Sequence, residues 1–213
     1  QKGRVLYLNL EIDEASFIER LNLILKAKNV ELDTSHFDLW NLRGYSSRYS
    51  GRIIEEMIQK SATEDYSAII IDPIYKLLSG NENSNFEIKN FLGFLDEITE
   101  NGPSVILVHH FSKGTAGGKN AIDRNSGAGV FARDPDNNLT LTALDKIEGA
   151  FRFENAKARN FAQFPPFTVR FQHPIHIVDE SLESHPIEGE YRQKAKTISS
   201  DEALKIFSAG YLN

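Results

Sequence analysis

The chain has no cysteine, a single methionine (Met57) and a single tryptophan (Trp40). Without cysteine there are no disulfides, thiolate metal sites or cysteine nucleophiles. The composition suits a reducing compartment, so the expected location is cytoplasmic. No apolar run approaches the roughly 18 residues of a membrane span, so membrane partners are not expected. Excess positive charge is missing too, the net charge being −6, which argues against a protein coated for nucleic acid. The charge is nonetheless uneven. Residues 113–170 hold nine Lys/Arg against six Asp/Glu, and the remainder holds 15 against 24. A basic centre in an acidic chain suits a phosphate-binding surface or an ordinary solvated face. The 40% hydrophobic content and 213 residues are enough for one domain with a sizeable core.

The organising stretch is Ser67-Ala-Ile-Ile-Ile-Asp72-Pro73. An unbroken apolar run reads as a strand buried on both faces. The acid at its carboxyl end lies where open α/β sheets bind ligands. Two other strands end comparably: Val5–Leu10 runs into Glu11, and Ser104–Val108 into His109-His110. Between them fall three helical patterns. Asp13 is a candidate N-cap for the first, with Phe17, Leu21, Ile24 and Leu25 on one face. Ser50 is a candidate cap for the second, with Ile53, Ile54, Met57 and Ile58 as its stripe. The third carries Ile88, Phe91, Leu92, Leu95 and Ile98, and Gly102-Pro103 closes it. Phe37–Leu42 is a further strand. This alternation predicts a mostly parallel sheet flanked by helices.

Beyond Val108 the style changes. Residues 111–125 form a loop rich in Gly, Lys and Ser, and a short helix is expected near Ser126. Four β segments follow at Leu139–Thr142, Ala150–Phe153, Phe167–Phe171 and Ile175–Val178, expected to pair antiparallel at the C-terminal edge. The domain boundaries expected are 1–180 for an α/β core and 181–213 for a mobile tail with a helix at Asp201–Phe207.

If the three strand ends converge, their chemistry is complementary. Glu11 can orient and deprotonate a water beside a triphosphate. Asp72 offers the oxygen ligand that magnesium prefers. His110 can register the γ-phosphate. Each also has an ordinary explanation: Glu11 as an acid opening a helix, Asp72 as a strand stop, and the histidines as satisfied side chains. His109 and His110 are adjacent and point to opposite faces of a strand, which disfavours joint metal ligation. A metal-dependent hydrolase built on Asp72 and the histidines is a weaker reading for the same reason.

A P-loop requires Gly-x-x-x-x-Gly-Lys-Ser/Thr. The nearest string, Lys113-Gly-Thr-Ala-Gly-Gly-Lys119-Asn120, fails at its first and last positions.

Tyr7-Leu-Asn-Leu-Glu11, Ile71-Asp-Pro-Ile-Tyr75, Val108-His-His-Phe-Ser-Lys-Gly114 and Asp123-Arg-Asn-Ser-Gly-Ala-Gly-Val-Phe-Ala-Arg133 resemble the RecA-fold ATPases of the RepA-type hexameric helicase group of plasmids, phages and mobile elements. The resemblance spans roughly residues 3–173. It implies a RecA-like α/β fold, Mg2+ and ATP as cofactors, and a replicative DNA helicase or related ATPase that assembles as a homo-oligomer, a hexamer when complete. It casts Glu11 as catalytic glutamate, Asp72 as the Walker B magnesium ligand and His110 as γ-phosphate sensor. Arg133, Lys157 and Arg159 would act on the neighbouring subunit's nucleotide. Lys113, Lys119 and Arg124 would face single-stranded DNA. In that group a Walker A segment precedes the first strand found here, so the start at Gln1 is expected to be a cut. Without that segment the chain is expected to be inactive as an ATPase. The alternative reading is a non-catalytic RecA-like remnant that binds DNA or partner subunits.

Overall fold

The computed structural model describes residues 3–78, 85–110, 133–144 and 147–182. The expected short helix near Ser126, the loop residues Lys113, Lys119 and Arg124, and the expected tail helix lie outside them.

Four strands, β1 (Arg4–Asn9), β2 (Phe37–Asn41), β3 (Tyr66–Asp72) and β4 (Ser104–Leu107), form a wholly parallel sheet in the order β2-β1-β3-β4. Three helices alternate with them: α1 (Glu14–Lys28), α2 (Ser46–Thr63) and α3 (Asn85–Glu100). Register fixes which side chains share a face. Leu6 pairs with Ile69, and Leu8 with Ile71; in turn Ile69 pairs with Val105, and Ile71 with Leu107. Leu6, Leu8, Ile69 and Ile71 are completely buried. They make one core with Ile53, Ile54 and Met57 of α2 and Ile88, Phe91, Leu92, Leu95 and Ile98 of α3. The third helical stripe is therefore buried at all five predicted positions.

The opposite face carries Tyr7, whose ring meets Phe17 of α1 at 5.0 Å and Phe37 at 6.4 Å between centroids. Asp13 caps α1 as expected, accepting from the Ser16 N–H at 3.0 Å. Asn29 ends the helix in the left-handed region, φ 52°, where its short side chain is tolerated. Only Phe17 of the expected stripe is buried. Ile24 stays exposed, as does Ile18.

Helix α2 departs from expectation at its start. It opens at Ser46, four residues before Ser50, and the backbone leaves helical geometry at Tyr49 (φ −124°, ψ 22°). Regular helix resumes from Ser50, so the capping chemistry read there marks an internal break.

At the amino ends of the strands, Arg4 bridges Asp38 at 2.9 Å and also pairs with Glu64. Its guanidinium lies 5.2 Å from the Tyr66 ring centroid. Tyr66 donates to Asp38. This cluster ties β1, β2, β3 and the end of α2 together at the end of the sheet away from Glu11.

The remaining strands, β5 (Asn137–Ala143), β6 (Ala150–Ala158), β7 (Phe167–Gln172) and β8 (Ile175–Val178), make an antiparallel meander that is a sheet of its own. Its burial is inverted. Thr140, Thr142, Arg152, Glu154 and Thr168 are buried, and register puts Thr140 beside Glu154, Thr142 beside Arg152 and Arg152 beside Thr168. The alternate residues Leu139, Leu141 and Phe171 are exposed. Arg152 and Glu154 meet at 3.0 Å, a pairing that such burial requires.

Candidate nucleotide site

The carboxyl ends of β1, β3 and β4 are knitted by main-chain hydrogen bonds that continue past the strands. The Leu10 N–H donates to the Asp72 carbonyl at 2.9 Å, the Val108 N–H to the Ile71 carbonyl at 3.0 Å, and the Ile74 N–H to the Val108 carbonyl at 2.9 Å. Residues 11, 72 and 110 therefore emerge at one edge of the sheet.

The turn that carries Glu11 is organised by Asn9, an amide buried to 2% exposure. Its Nδ2 donates to the Ile12 carbonyl at 2.7 Å and to Asn41 Oδ1 at 3.0 Å. Its Oδ1 accepts from the Ile12 N–H at 3.1 Å. A buried amide satisfied on both ends fixes its loop. Polar Asn9 within an apolar strand was the available signal, and its role was missed.

Glu11 projects from this turn. Its Oε1 accepts from the Tyr75 hydroxyl at 2.6 Å, and its Oε2 lies 3.6 Å from His110 Nε2. The Tyr75 and His110 rings are 6.1 Å apart. The Tyr75 hydrogen bond lowers the carboxyl's proton affinity; burial opposes it, and Lys76 and His110 reinforce it. The net result is a Glu11 that ionises below the usual range.

Asp72 is the register partner of Asn9. One of its oxygens, Oδ2, accepts from the Tyr7 hydroxyl at 2.5 Å. Burial first, then the Asp72 carboxylate, pushes the Tyr7 phenol up, so it stays protonated and donating. Both tyrosines are 64 or more residues from their partners, beyond what local pattern reveals.

The carboxylate oxygens of Asp72 suit magnesium. Among the described residues, no group of three or more His, Cys, Asp or Glu could hold a metal. That donor set fits an ion held by one carboxylate together with phosphates and water, the usual magnesium arrangement. It does not fit a resident metal cage. The sequence contains no Gly-x-x-x-x-Gly-Lys-Ser/Thr string.

A second cluster lies where β5 begins and β6 ends. Lys157 donates to the Arg133 carbonyl, as does Arg159 Nη2 at 3.1 Å, while Arg159 Nη1 pairs with Asp136 at 3.1 Å. Arg133, Lys157 and Arg159 are thus brought together, with Lys157 and Arg159 gripping the main chain of Arg133. Burial and the neighbouring Arg159 lower the Lys157 proton affinity.

A parallel sheet flanked by helices and a separate antiparallel sheet define a RecA-like α/β fold. The crystal structure of the RadB recombinase has this fold, with a TM-score of 0.55 at 16% identity, covering 80% of this chain and 76% of that one. Residues 1–116 match the AAA domain model, and the chain belongs to that family. No curated protein matches it. Among the described residues, no helix is long and apolar enough to cross a membrane.

Proposed function

We propose that the chain is the core of an ATP-dependent RecA-type motor, a replicative DNA helicase or a related mobile-element ATPase. The observation that carries this reading is the convergence of Glu11, Asp72 and His110 at neighbouring ends of parallel strands, with Glu11 3.6 Å from His110 and Asp72 held by Tyr7. Bound magnesium would supply charge neutralisation to a nucleoside triphosphate. Asp72 is the residue that would hold it, through its carboxylate. Glu11, ionised under ordinary conditions, takes a proton from a water. His110, 3.6 Å from Glu11, reports the γ-phosphate.

The reading needs a phosphate cradle, and the 213 residues contain no Gly-x-x-x-x-Gly-Lys-Ser/Thr string. The outer edge of β4 supports its addition there: β4 pairs only with β3 among the described strands, and Ile106 is exposed on it. An unpaired strand edge accepts another strand. In the assembled motor Arg133 acts on a neighbouring subunit's nucleotide, with Lys157 and Arg159 beside it. Such trans action requires a homo-oligomer, and a hexameric ring is the form proposed. Lys113, Lys119 and Arg124 contact single-stranded DNA.

The second reading is a non-catalytic RecA-like binding module. Hydrolysis of Mg-ATP with and without single-stranded DNA, in protein carrying a phosphate-binding loop, separates the two. DNA-stimulated turnover supports the motor. DNA binding without turnover supports the module.

A further inference from the structure

We propose that Tyr75 is a positioning residue for Glu11: its phenol holds Oε1, so that Oε2, turned to His110, is the oxygen offered to water. The inference rests on the nucleotide-site reading above. Tyr75 sits in a single 3-10 turn, Ile74–Lys76, that leaves β3 one residue after Asp72 and Pro73. The turn is rooted in the core. Ile74 is completely buried and Leu77 nearly so. The Ile74 N–H donates to the Val108 carbonyl, and the Leu77 N–H to the Ile74 carbonyl, each at 2.9 Å. The Tyr75 backbone therefore moves only if β3 and β4 move.

Glu11 has the opposite character. It lies on a turn, its side chain is half-exposed, and three rotatable bonds would let the carboxylate sample many positions. The phenol supplies an anchor at 2.6 Å from a rigid element. Tyr75 is itself steadied by the Lys76 ammonium, 5.0 Å from its ring centroid, and by the His110 ring. An anchored base keeps the attacking water in a reactive geometry, and displacement by about 1 Å costs up to a hundredfold in rate. The hydrogen bond also sets how readily Glu11 takes the proton. A base that ionises lower is charged over a wider pH range, at some cost in basicity. Among the described residues, the titratable groups acting on the carboxylate are Tyr75, Lys76 and His110. Removing the phenol leaves the other two in place.

The test is Tyr75→Phe, which keeps the ring and deletes the donor. In the 213-residue chain, the side-chain carboxyl carbon of Glu11 is followed by NMR against pH. The titration midpoint should rise in the variant, because the group that favours the charged form is gone. In wild type, the Tyr75 Cζ resonance should move with the same midpoint, a readout that needs no variant to fold. In protein carrying a phosphate-binding loop, kcat should fall about tenfold to a hundredfold while KM for ATP stays within about twofold. The acid limb of the rate profile should shift to higher pH along with the Glu11 midpoint. Glu11→Gln is run beside it. If Glu11→Gln abolishes turnover but Tyr75→Phe leaves midpoint, kcat and pH limb unchanged, the positioning role is overturned and the nucleotide site stands. If Glu11→Gln leaves turnover intact, the site reading fails whatever Tyr75 does.

Discussion

Asn9→Ala is the substitution that most cleanly separates the scaffold of the site from its chemistry. Asn9 is buried at the end of β1 and makes three hydrogen bonds, two to the Ile12 main chain and one to Asn41. Alanine removes all three and leaves the Ile12 N–H, the Ile12 carbonyl and the Asn41 side chain seeking partners. Each net hydrogen bond is worth about 0.5–1.5 kcal/mol. Ile12 and Asn41 are only partly buried, so water recovers some of the loss. The expected cost is about 2–3 kcal/mol, a large share of the roughly 5–15 kcal/mol that holds a domain together. Asn9→Asp keeps the acceptor for the Ile12 N–H and loses both donors, so it should fall between wild type and alanine if the carboxylate's own burial cost is modest. Urea unfolding of the 213-residue chain, followed by far-ultraviolet circular dichroism, measures the difference. A loss below about 0.5 kcal/mol, the range of an ordinary surface change, would refute the claim that Asn9 organises the Glu11 turn.

Three further outcomes follow from the same structure. Asp38 is pushed up by burial, but hydrogen bonds from Tyr66 and Arg4 win and hold it below the usual range; Glu64 is lowered by Lys60 and Arg4. Groups depressed in the folded state stabilise it above their unfolded values of about 4. That contribution is lost as pH falls through the folded values, so Arg4→Met should flatten the acid side of a stability-against-pH curve below about pH 4; an unchanged curve would refute the cluster's role. Arg133→Ala should leave nucleotide binding nearly intact while turnover drops by about 10³–10⁵, the worth of an arginine finger; unchanged turnover per subunit would make Arg133 a surface residue. Calorimetric titration of the 213-residue chain with Mg-ATP should show weak binding or none, since two carboxylates without a cradle repel an anion, and micromolar binding would mean that another element holds phosphate.

How much of this was legible in the sequence varies with the range of the interaction. Strand runs stopping at Asp72, Glu11 and His110 were visible because a parallel sheet buries both faces and tolerates charge only at its ends. The α3 stripe was visible because five apolar residues share one helical face. The start of α2 was not, since Ser50, read as its cap, lies just after a break at Tyr49 and not at the true beginning. Tyr7 and Tyr75 reach across the sheet to Asp72 and Glu11, and nothing local announces a contact over 64 or 65 residues. The second sheet was legible as strands but not as a surface. Alternation in Leu139-Thr-Leu-Thr142 indicates two faces, and the threonine face is the buried one, the reverse of what hydrophobicity alone selects.

The central claim, that the ends of β1, β3 and β4 hydrolyse a nucleoside triphosphate, is met most directly by one comparison. Phosphate release from Mg-ATP is measured for wild type and Glu11→Gln in protein carrying a phosphate-binding loop. Glutamine preserves size and hydrogen bonding to Tyr75 but cannot accept the proton. Retained nucleotide affinity with turnover reduced about 10²–10⁴-fold is the predicted result; equal turnover in the two proteins would contradict the account.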